Sequence, residues 1–495
     1  MTTKIDRRAV LLGGGAAALA APALAQAPAA PAPAAPVVTP AALRADAAIL
    51  RRAYETLHPG LKRYMDDAAL ARAWSALDAE LARAEGLGPA FLAFGRFTSK
   101  VRCGHTFLNP ANQGRLVREA LLDAPRRLPF RFRWINGAMV VTEPAAPGLN
   151  RGDAVTAVDG VPASDLLARL MPLSRTDGGN DAKRIANLEV RGAERYAAFD
   201  VFLPLLQPVG DSVRLRLREP AGRARTLEAP ALTLAQRRGG QPEDPPRDAE
   251  RFTFALADGV GLLTMPTWAL YNSTWDWRAW LNARIDDLIE ARARGLIVDL
   301  RGNEGGQDVG DVIAARLINR DLPMPRYVSK VRYRRTPDDL NPVLDTWDDS
   351  FRDWGAAAVE PAVDGFYRLT REDERADIPL RPTGRRFTGA VIVLTDATNS
   401  SATFQFAQLA QGSGLARLVG RPTGGNRRGI NGGAYFFLRM PNSRIEADLP
   451  LIGYFPETPQ PDAGLRPDVA VPLTAADIAA GRDRDLERAQ ALIQA

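Results

Sequence analysis

Residues 295–306 read GLIVDLRGNEGG, the stretch that indicates most clearly how this chain folds. The run from Leu296 to Leu300 is largely apolar, with Asp299 as its one polar residue, and is typical of a strand buried on both sides in a parallel sheet. The glycines that follow predict a sharp turn, and the spacing after them predicts a helix over 309–318. The segment therefore indicates an α/β unit.

The same order occurs again about ninety residues later. Residues 390–395 read AVIVLT, a polar turn with Ser400 and Ser401 follows, and a helix is predicted over 404–411. A further strand over 259–265 and a helix over 274–294 complete the pattern. Ligands of such sheets bind at the carboxyl ends of the strands. A serine where a helix begins also has backbone N–H groups aimed at it, as a hydrolase nucleophile needs.

The segments before this α/β region have other periodicities. Apolar residues recur at helical spacing after Thr39 and until His58, which predicts a capped helix and then a stop. From residue 126 the pattern alternates as in strands, and GDAVTAVDG at 152–160 resembles a strand and turn of a PDZ-like module, although any hairpin has similar turns. The predicted parts are a signal peptide (1–25), an Ala/Pro-rich linker (26–40), an N-terminal helical domain (41–125), a PDZ-like module (126–235), a linker (236–252), a catalytic domain (253–475) and a C-terminal helix (476–495).

Composition excludes several classes of protein. One cysteine cannot form an intramolecular disulfide, and with two histidines a Cys/His zinc site is not expected. A formal charge of +6 over 495 residues is weak support for binding nucleic acid. Arg7 and Arg8 precede a short apolar stretch that ends near Ala25, which resembles a Tat export signal, and no later run could anchor the chain in a membrane. We expect an exported protein, periplasmic or secreted, without cofactor or metal.

Three blocks of the last segment resemble the C-terminal-processing, or tail-specific, serine peptidases. They are LIVDLRGNEGG at 296–306, SATFQFA at 401–407 followed by GRPT at 420–423, and GLRPDV at 464–469. The resemblance implies a multidomain α/β protein with a ClpP/crotonase-like catalytic core and Ser401 as nucleophile. Ser401 is preferred to Ser400 because only that register aligns the later blocks.

Two positions depart from the family pattern. Asn426 stands where the bacterial enzymes carry a general-base lysine, and no lysine follows Lys330 that could replace it. However, residues 102–106, RCGHT, resemble a block of the tricorn-core and retinoid-binding-protein branch, in which a histidine acts with the serine and a glutamate. That resemblance implies His105 as base; the alternative is a histidine packed at a helix end. Phe404 stands where glutamate is more usual.

The remaining site residues follow from the same alignment. The N–H of Ala402, with that of Gly305 or Gly306, is expected to form an oxyanion hole. Glu457, with Asp462 in reserve, is the candidate to orient His105, although either could be a solvated loop charge. Asn426 and Arg427 are assigned to a substrate-side loop, and His58 to a structural helix stop.

The sequence therefore predicts an exported serine endopeptidase acting on peptides or unfolded proteins through Ser401 and His105. An unperturbed histidine would give an activity that falls near pH ~6.5. The alternatives are an inactive family member that binds a peptide or an apolar ligand, and an esterase with the same mechanism. Whether 320–388 is a lid or an inert insertion is left open.

Overall fold

The computed structural model describes residues 36–494 except 193, 240–250, 272, 363–364 and 371–377. The predicted signal segment and most of the two predicted linkers lie outside the described residues. In the described part of the chain, no helix is both long enough and apolar enough to cross a membrane.

The helices and strands are numbered here in chain order. The α-helices are α1 (Pro40–Leu57), α2 (Asp67–Leu81), α3 (Leu87–Lys100), α4 (Arg115–Val117), α5 (Ala163–Leu170), α6 (Asp181–Asn187), α7 (Ala198–Leu206), α8 (Leu234–Arg238), α9 (Trp277–Glu290), α10 (Val309–Ala315), α11 (Ala402–Gly412), α12 (Ala475–Ala479) and α13 (Arg484–Gln494). The strands are β1 (Phe130–Ile135), β2 (Ala138–Pro144), β3 (Ala154–Val158), β4 (Val161–Pro162), β5 (Ser212–Arg218), β6 (Ala224–Pro230), β7 (Thr253–Ala257), β8 (Val260–Thr264), β9 (Gly295–Asp299), β10 (Tyr327–Val331), β11 (Leu344–Asp345), β12 (Ala358–Ala362), β13 (Phe366–Leu369), β14 (Ala390–Thr395), β15 (Arg417–Gly420), β16 (Asn431–Arg439), β17 (Glu446–Pro456) and β18 (Val469–Ala470).

The first helices form where the sequence predicts them. The Thr39 hydroxyl accepts the N–H of Ala42 at 3.2 Å and so satisfies one free donor at the start of α1. The helix ends at Leu57, before His58 and Pro59. Leu50 of α1 belongs to the same buried apolar cluster as Phe132 of β1. The N-terminal helices are therefore packed against the β-rich module that follows.

That module is an antiparallel sheet with strand order β1-β2-β3-β5-β6, and β4 pairs with β3. Side chains along β1 alternate between buried and half-buried, as the alternating sequence predicts. Of two neighbouring ion pairs, Arg133 to Glu189 at 2.7 Å lies within the module, and Arg191 to Asp396 at 2.7 Å joins the module to the α/β region. The second pair reaches the end of β14, just before the Ser401 turn.

The α/β region contains the predicted sheet, with strand order β18-β15-β14-β9-β8-β7. β8, β9, β14, β15 and β18 run parallel, and β7 is antiparallel to β8. Every residue of β9 is buried, as expected for a central parallel strand. The carboxyl ends of β9 and β14 are neighbours, so their polar turns meet.

A third sheet was not predicted from the sequence. Its order is β11-β16-β17-β10-β13-β12, so strands from the 320–388 stretch pair with strands that follow Ser401. The described part of that stretch is therefore built into the protein's sheets. The segment predicted as a C-terminal helix (476–495) is helical in two pieces, α12 and α13, which are separated by a turn in which Gly481 has φ +66°.

Candidate active site

Ser401 lies in a strained turn between β14 and α11. Its backbone has φ +53° and ψ −130°, a conformation that L-residues adopt rarely and only when the surroundings enforce it. Asn399 supplies that enforcement, because its amide donates to Leu300 O at 2.5 Å and to Asn303 O at 3.0 Å. The strained serine is half-buried at the start of a helix, which is the placement expected of a nucleophile.

The turn after β9 packs directly on this serine. A Cβ added to Gly305 would lie 2.7 Å from Ser400 O, 2.9 Å from Ala402 N and 3.0 Å from Ser401 Cβ. The N–H of Gly305 donates to Asn303 Oδ1 at 2.9 Å, so Gly305 is not a free donor and its assignment to the oxyanion hole needs correction. The N–H groups of Ala402 and Gly306 donate to no acceptor among the described residues. They fit that role better.

His105 follows α3 in a short loop that reaches the same region. It is half-buried, and its Nδ1 atom is buried without a hydrogen-bond partner among the described residues. Burial lowers the pKa of His105 to about 4, although the Asp177 carboxylate opposes the shift. The imidazole is therefore neutral at pH 7, as a general base must be.

A chain of contacts joins the His105 loop to the Ser401 turn. Arg175 donates to Gly104 O at 2.9 Å and pairs with Glu304 at 2.5 Å. The backbone carbonyl of Glu304 accepts the hydroxyl of Ser400 at 3.3 Å. No hydrogen bond joins His105 to Ser401 among the described residues, and catalytic hydrogen bonds are often long without substrate.

The residues that the sequence assigned to substrate binding and to orienting His105 have other positions and contacts in the structure. Glu457 is exposed after β17, and no described contact joins it to His105. Asn426 is fully buried, and its amide donates to Asp177 O at 3.1 Å and Asp462 Oδ1 at 2.6 Å. Asn426 is therefore a structural residue, which corrects its assignment. Arg427 is half-buried and donates to Gln460 at 2.9 Å.

Two charged residues near His105 were not among the site residues predicted from the sequence. Asp177 and Lys183 form an ion pair at 2.6 Å with side chains 3% and 1% exposed, and both come from the β-rich module. The only sequence signal is a polar, glycine-containing turn at 176–180 inside an apolar module. Phe404, which replaces the more usual glutamate, is 2% exposed and packs on the Gly425 backbone.

Comparison with known proteins gives one family. Residues 259–434 match the family model described as Peptidase family S41. A structure of mature CPAF complexed with lactacystin is similar with TM-score 0.60 and 16% identity, over 91% of this chain and 97% of that one. A crystal structure of a CPAF mutant gives TM-score 0.61 and 15% identity, over 91% and 96%.

At this level of identity the CPAF structures indicate a shared fold. The photosystem II D1 C-terminal processing protease aligns over 89% of this chain and 96% of its own, with 16% identity and TM-score 0.40. No curated protein matches the chain.

Proposed function

We propose that this chain, a serine-type peptidase whose residues 259–434 match Peptidase family S41, is an exported endopeptidase that cleaves peptides or unfolded proteins through an acyl-enzyme on Ser401. The observation that carries this assignment is the strained Ser401 at the start of α11, with the free N–H of Ala402 beside it. Backbone strain of this kind persists where the surroundings enforce it, and it recurs at active sites.

The chemistry follows from the groups around this serine. Neutral His105 takes the Ser401 hydroxyl proton as the oxygen attacks the peptide carbonyl, and the N–H groups of Ala402 and Gly306 stabilise the oxyanion. His105 then gives the proton to the departing amine. Water, deprotonated by His105, hydrolyses the ester and regenerates Ser401. We infer that substrate binding brings His105 within hydrogen-bond reach of Ser401.

Labelling with a fluorophosphonate probe tests the nucleophile. Ser401→Ala should abolish both labelling and peptide hydrolysis. Ser400→Ala is the matched control, because Ser400 adjoins Ser401 but donates its hydroxyl to Glu304 O; it should keep both activities within a few-fold. Labelling that is lost in Ser400→Ala and retained in Ser401→Ala would show that the register is wrong. A wild-type protein that never labels or hydrolyses would favour a ligand-binding role.

His105→Ala should remove nearly as much activity as Ser401→Ala, because an unassisted hydroxyl is a poor nucleophile at neutral pH. The double variant should be little worse than either single one, since members of a catalytic unit are not additive. Normal labelling of His105→Ala would leave the nucleophile in place and reject this base.

Export and substrate docking are further parts of the proposal. Lysine at positions 7 and 8, in place of Arg7 and Arg8, should leave unprocessed protein in the cytoplasm if the route is Tat; normal processing would indicate an ordinary secretory signal.

The PDZ-like module is proposed to dock extended peptides. A docking peptide should then inhibit cleavage of proteins but not of short esters, and equal inhibition of both would place its binding in the catalytic cleft.

A further inference from the structure

Two buried charges near the site have no role in the mechanism above. Asp177 is 2% exposed and Lys183 is 0% exposed, and Lys183 Nζ lies 2.6 Å from Asp177 Oδ2. Removing two charges from water is costly, and a buried ion pair often contributes less stability than apolar side chains of the same size. A role in positioning accounts for the pair better than stability does.

Asp177 is fixed against the residue that precedes His105. Its Oδ1 atom accepts the N–H of Gly104 at 2.8 Å. A Cβ added to Gly104 would lie 2.8 Å from both Asp177 oxygens and 2.9 Å from Lys183 Nζ. Only glycine lets the His105 loop approach the ion pair this closely.

The other side of the pair contacts the loop that supports the serine turn. A Cβ added to Gly424 would lie 3.2 Å from Lys183 Cδ. The N–H groups of Gly424 and Gly425 both donate to Asn399 O at 2.8 Å, two residues before Ser401. The pair therefore lies between the backbone that carries the proposed base and the backbone that supports the proposed nucleophile.

His105 lacks the partner that a catalytic histidine needs. If Nε2 takes the serine proton, Nδ1 must carry a hydrogen and needs an acceptor to hold the ring. Nδ1 is buried and has no partner among the described residues. The charges acting on the ring are those of Asp177, Lys183, Arg175 and Glu304, and its aromatic neighbour is Tyr435, with ring centroids 6.1 Å apart.

Of the two carboxylates, Asp177 is the better acceptor. Glu304 pairs with Arg175 at 2.5 Å and reaches the His105 loop through that arginine, whereas Asp177 directly accepts the N–H of Gly104, the residue before His105. An ionised carboxylate has about four acceptor sites, so Asp177 can keep its bonds to Gly104 and Lys183 and still accept one from His105.

We propose that Asp177 and Lys183 are positioning residues for His105: Asp177 accepts Nδ1–H in the substrate complex, and Lys183 holds Asp177 ionised and in place. This inference rests on the proposed function. It assigns the acidic role to the module segment at 176–183 instead of to Glu457, which the family resemblance implied. The β-rich module thereby supplies part of the catalytic arrangement.

Three variants test the assignment: Asp177→Asn, Lys183→Met and the double variant. Asp177→Asn should lower kcat for a short ester by on the order of 10²-fold or more, the scale of general-base catalysis, with KM nearly unchanged. The double variant leaves no unpaired buried lysine and should recover stability, yet its kcat should stay as low as that of Asp177→Asn. A double variant with kcat within three-fold of wild type would overturn the proposal.

The titration of His105 provides a readout that a merely structural role would not change. The chain has two histidines, so NMR signals of His105 can be assigned by difference, with His58 as internal reference. Losing the Asp177 charge should lower the pKa of His105, and losing the Lys183 charge should raise it, each by about 1 unit. Unchanged titration in both variants would refute the contact.

The matched control is another buried ion pair, between Asp200 of the β-rich module and Arg237 of α8, at 2.9 Å with side chains 4% and 3% exposed. Asp200→Asn should reduce stability but leave kcat and the His105 titration unchanged. If it lowers kcat as much as Asp177→Asn does, the effect is general loss of structure and the proposal fails. A wild-type protein without activity would instead overturn the proposed function, and this role with it.

Discussion

The contact between Gly305 and the Ser401 turn allows a sharp test of the site. Gly305 has φ +105° and Gly302, three residues earlier in the same turn, has φ +84°. A Cβ at Gly302 meets nothing within 4 Å, whereas one at Gly305 would lie 2.7 Å from Ser400 O. Gly302→Ala therefore measures backbone strain alone, and Gly305→Ala measures strain plus displacement of the serine turn.

The expected effects differ in kind. Gly302→Ala should lose about 1–2 kcal/mol of unfolding free energy, the usual cost of a Cβ at positive φ, and Gly305→Ala should lose more, because its Cβ also displaces Ser400 O. An ordinary carbon–oxygen contact is roughly 3.3 Å, so Gly305→Ala must also move Ser400 O by at least ~0.6 Å. A catalytic group misplaced by about 1 Å can lose 10²-fold. We therefore expect kcat/KM to fall by on the order of 10²-fold, or about 2.7 kcal/mol in the activation barrier.

The assay combines urea unfolding with hydrolysis of a short ester and the rate of fluorophosphonate labelling. Gly302→Ala should keep kcat/KM within a few-fold, and Gly305→Ala should lose both turnover and labelling under conditions in which urea unfolding shows it to be folded. A kcat/KM near the wild-type value in Gly305→Ala would refute the conclusion that the turn around Ser401 and Ala402 is the catalytic centre. Equal losses of kcat/KM in the two variants would attribute the effect to the loss of stability.

Three further predictions follow from the strain and the buried histidines. Ser401→Gly should unfold at a higher free energy than Ser401→Ala by about 1 kcal/mol in urea titrations, because glycine accepts φ +53°; equal stabilities would mean that the turn is not strained. Activity should persist to pH 5 and fall through about pH 4, since burial lowers the pKa of His105 to about 4 and the base must be neutral; a midpoint near the unperturbed ~6.5 would contradict this environment. Burial lowers the pKa of His58 to about 3, so between pH 7 and pH 5 this histidine takes up a proton in the unfolded chain but not in the folded one. The unfolding free energy of the wild type should therefore fall over this range by about 2 kcal/mol more than that of His58→Gln. Parallel pH profiles of the two proteins would contradict the lowered pKa.

Short sequence patterns were enough to predict the fold of the α/β region. The runs at 296–300 and 390–395 are largely apolar and do not alternate with polar residues, since Asp299 and Thr395 stand only near their ends, so burial on both sides follows from residue type. The glycines after the first run and the serine after the second mark the turns at the ends of those strands. The helix bounded by Thr39 and His58 was likewise predictable, because caps and stops act over a few residues.

The third sheet and the surroundings of His105 depended on tertiary structure. β10 and β17 are over one hundred residues apart in sequence, and no local pattern specifies which distant edge a strand joins. Asn426 aligned with a catalytic position but became a buried donor to Asp177 and Asp462. The sequence identified Ser401 and His105 through residue type and spacing. Only tertiary packing decides which charged residues lie near them. The effect of a carboxylate on a neighbouring group depends on its distance and burial, which only the folded chain defines.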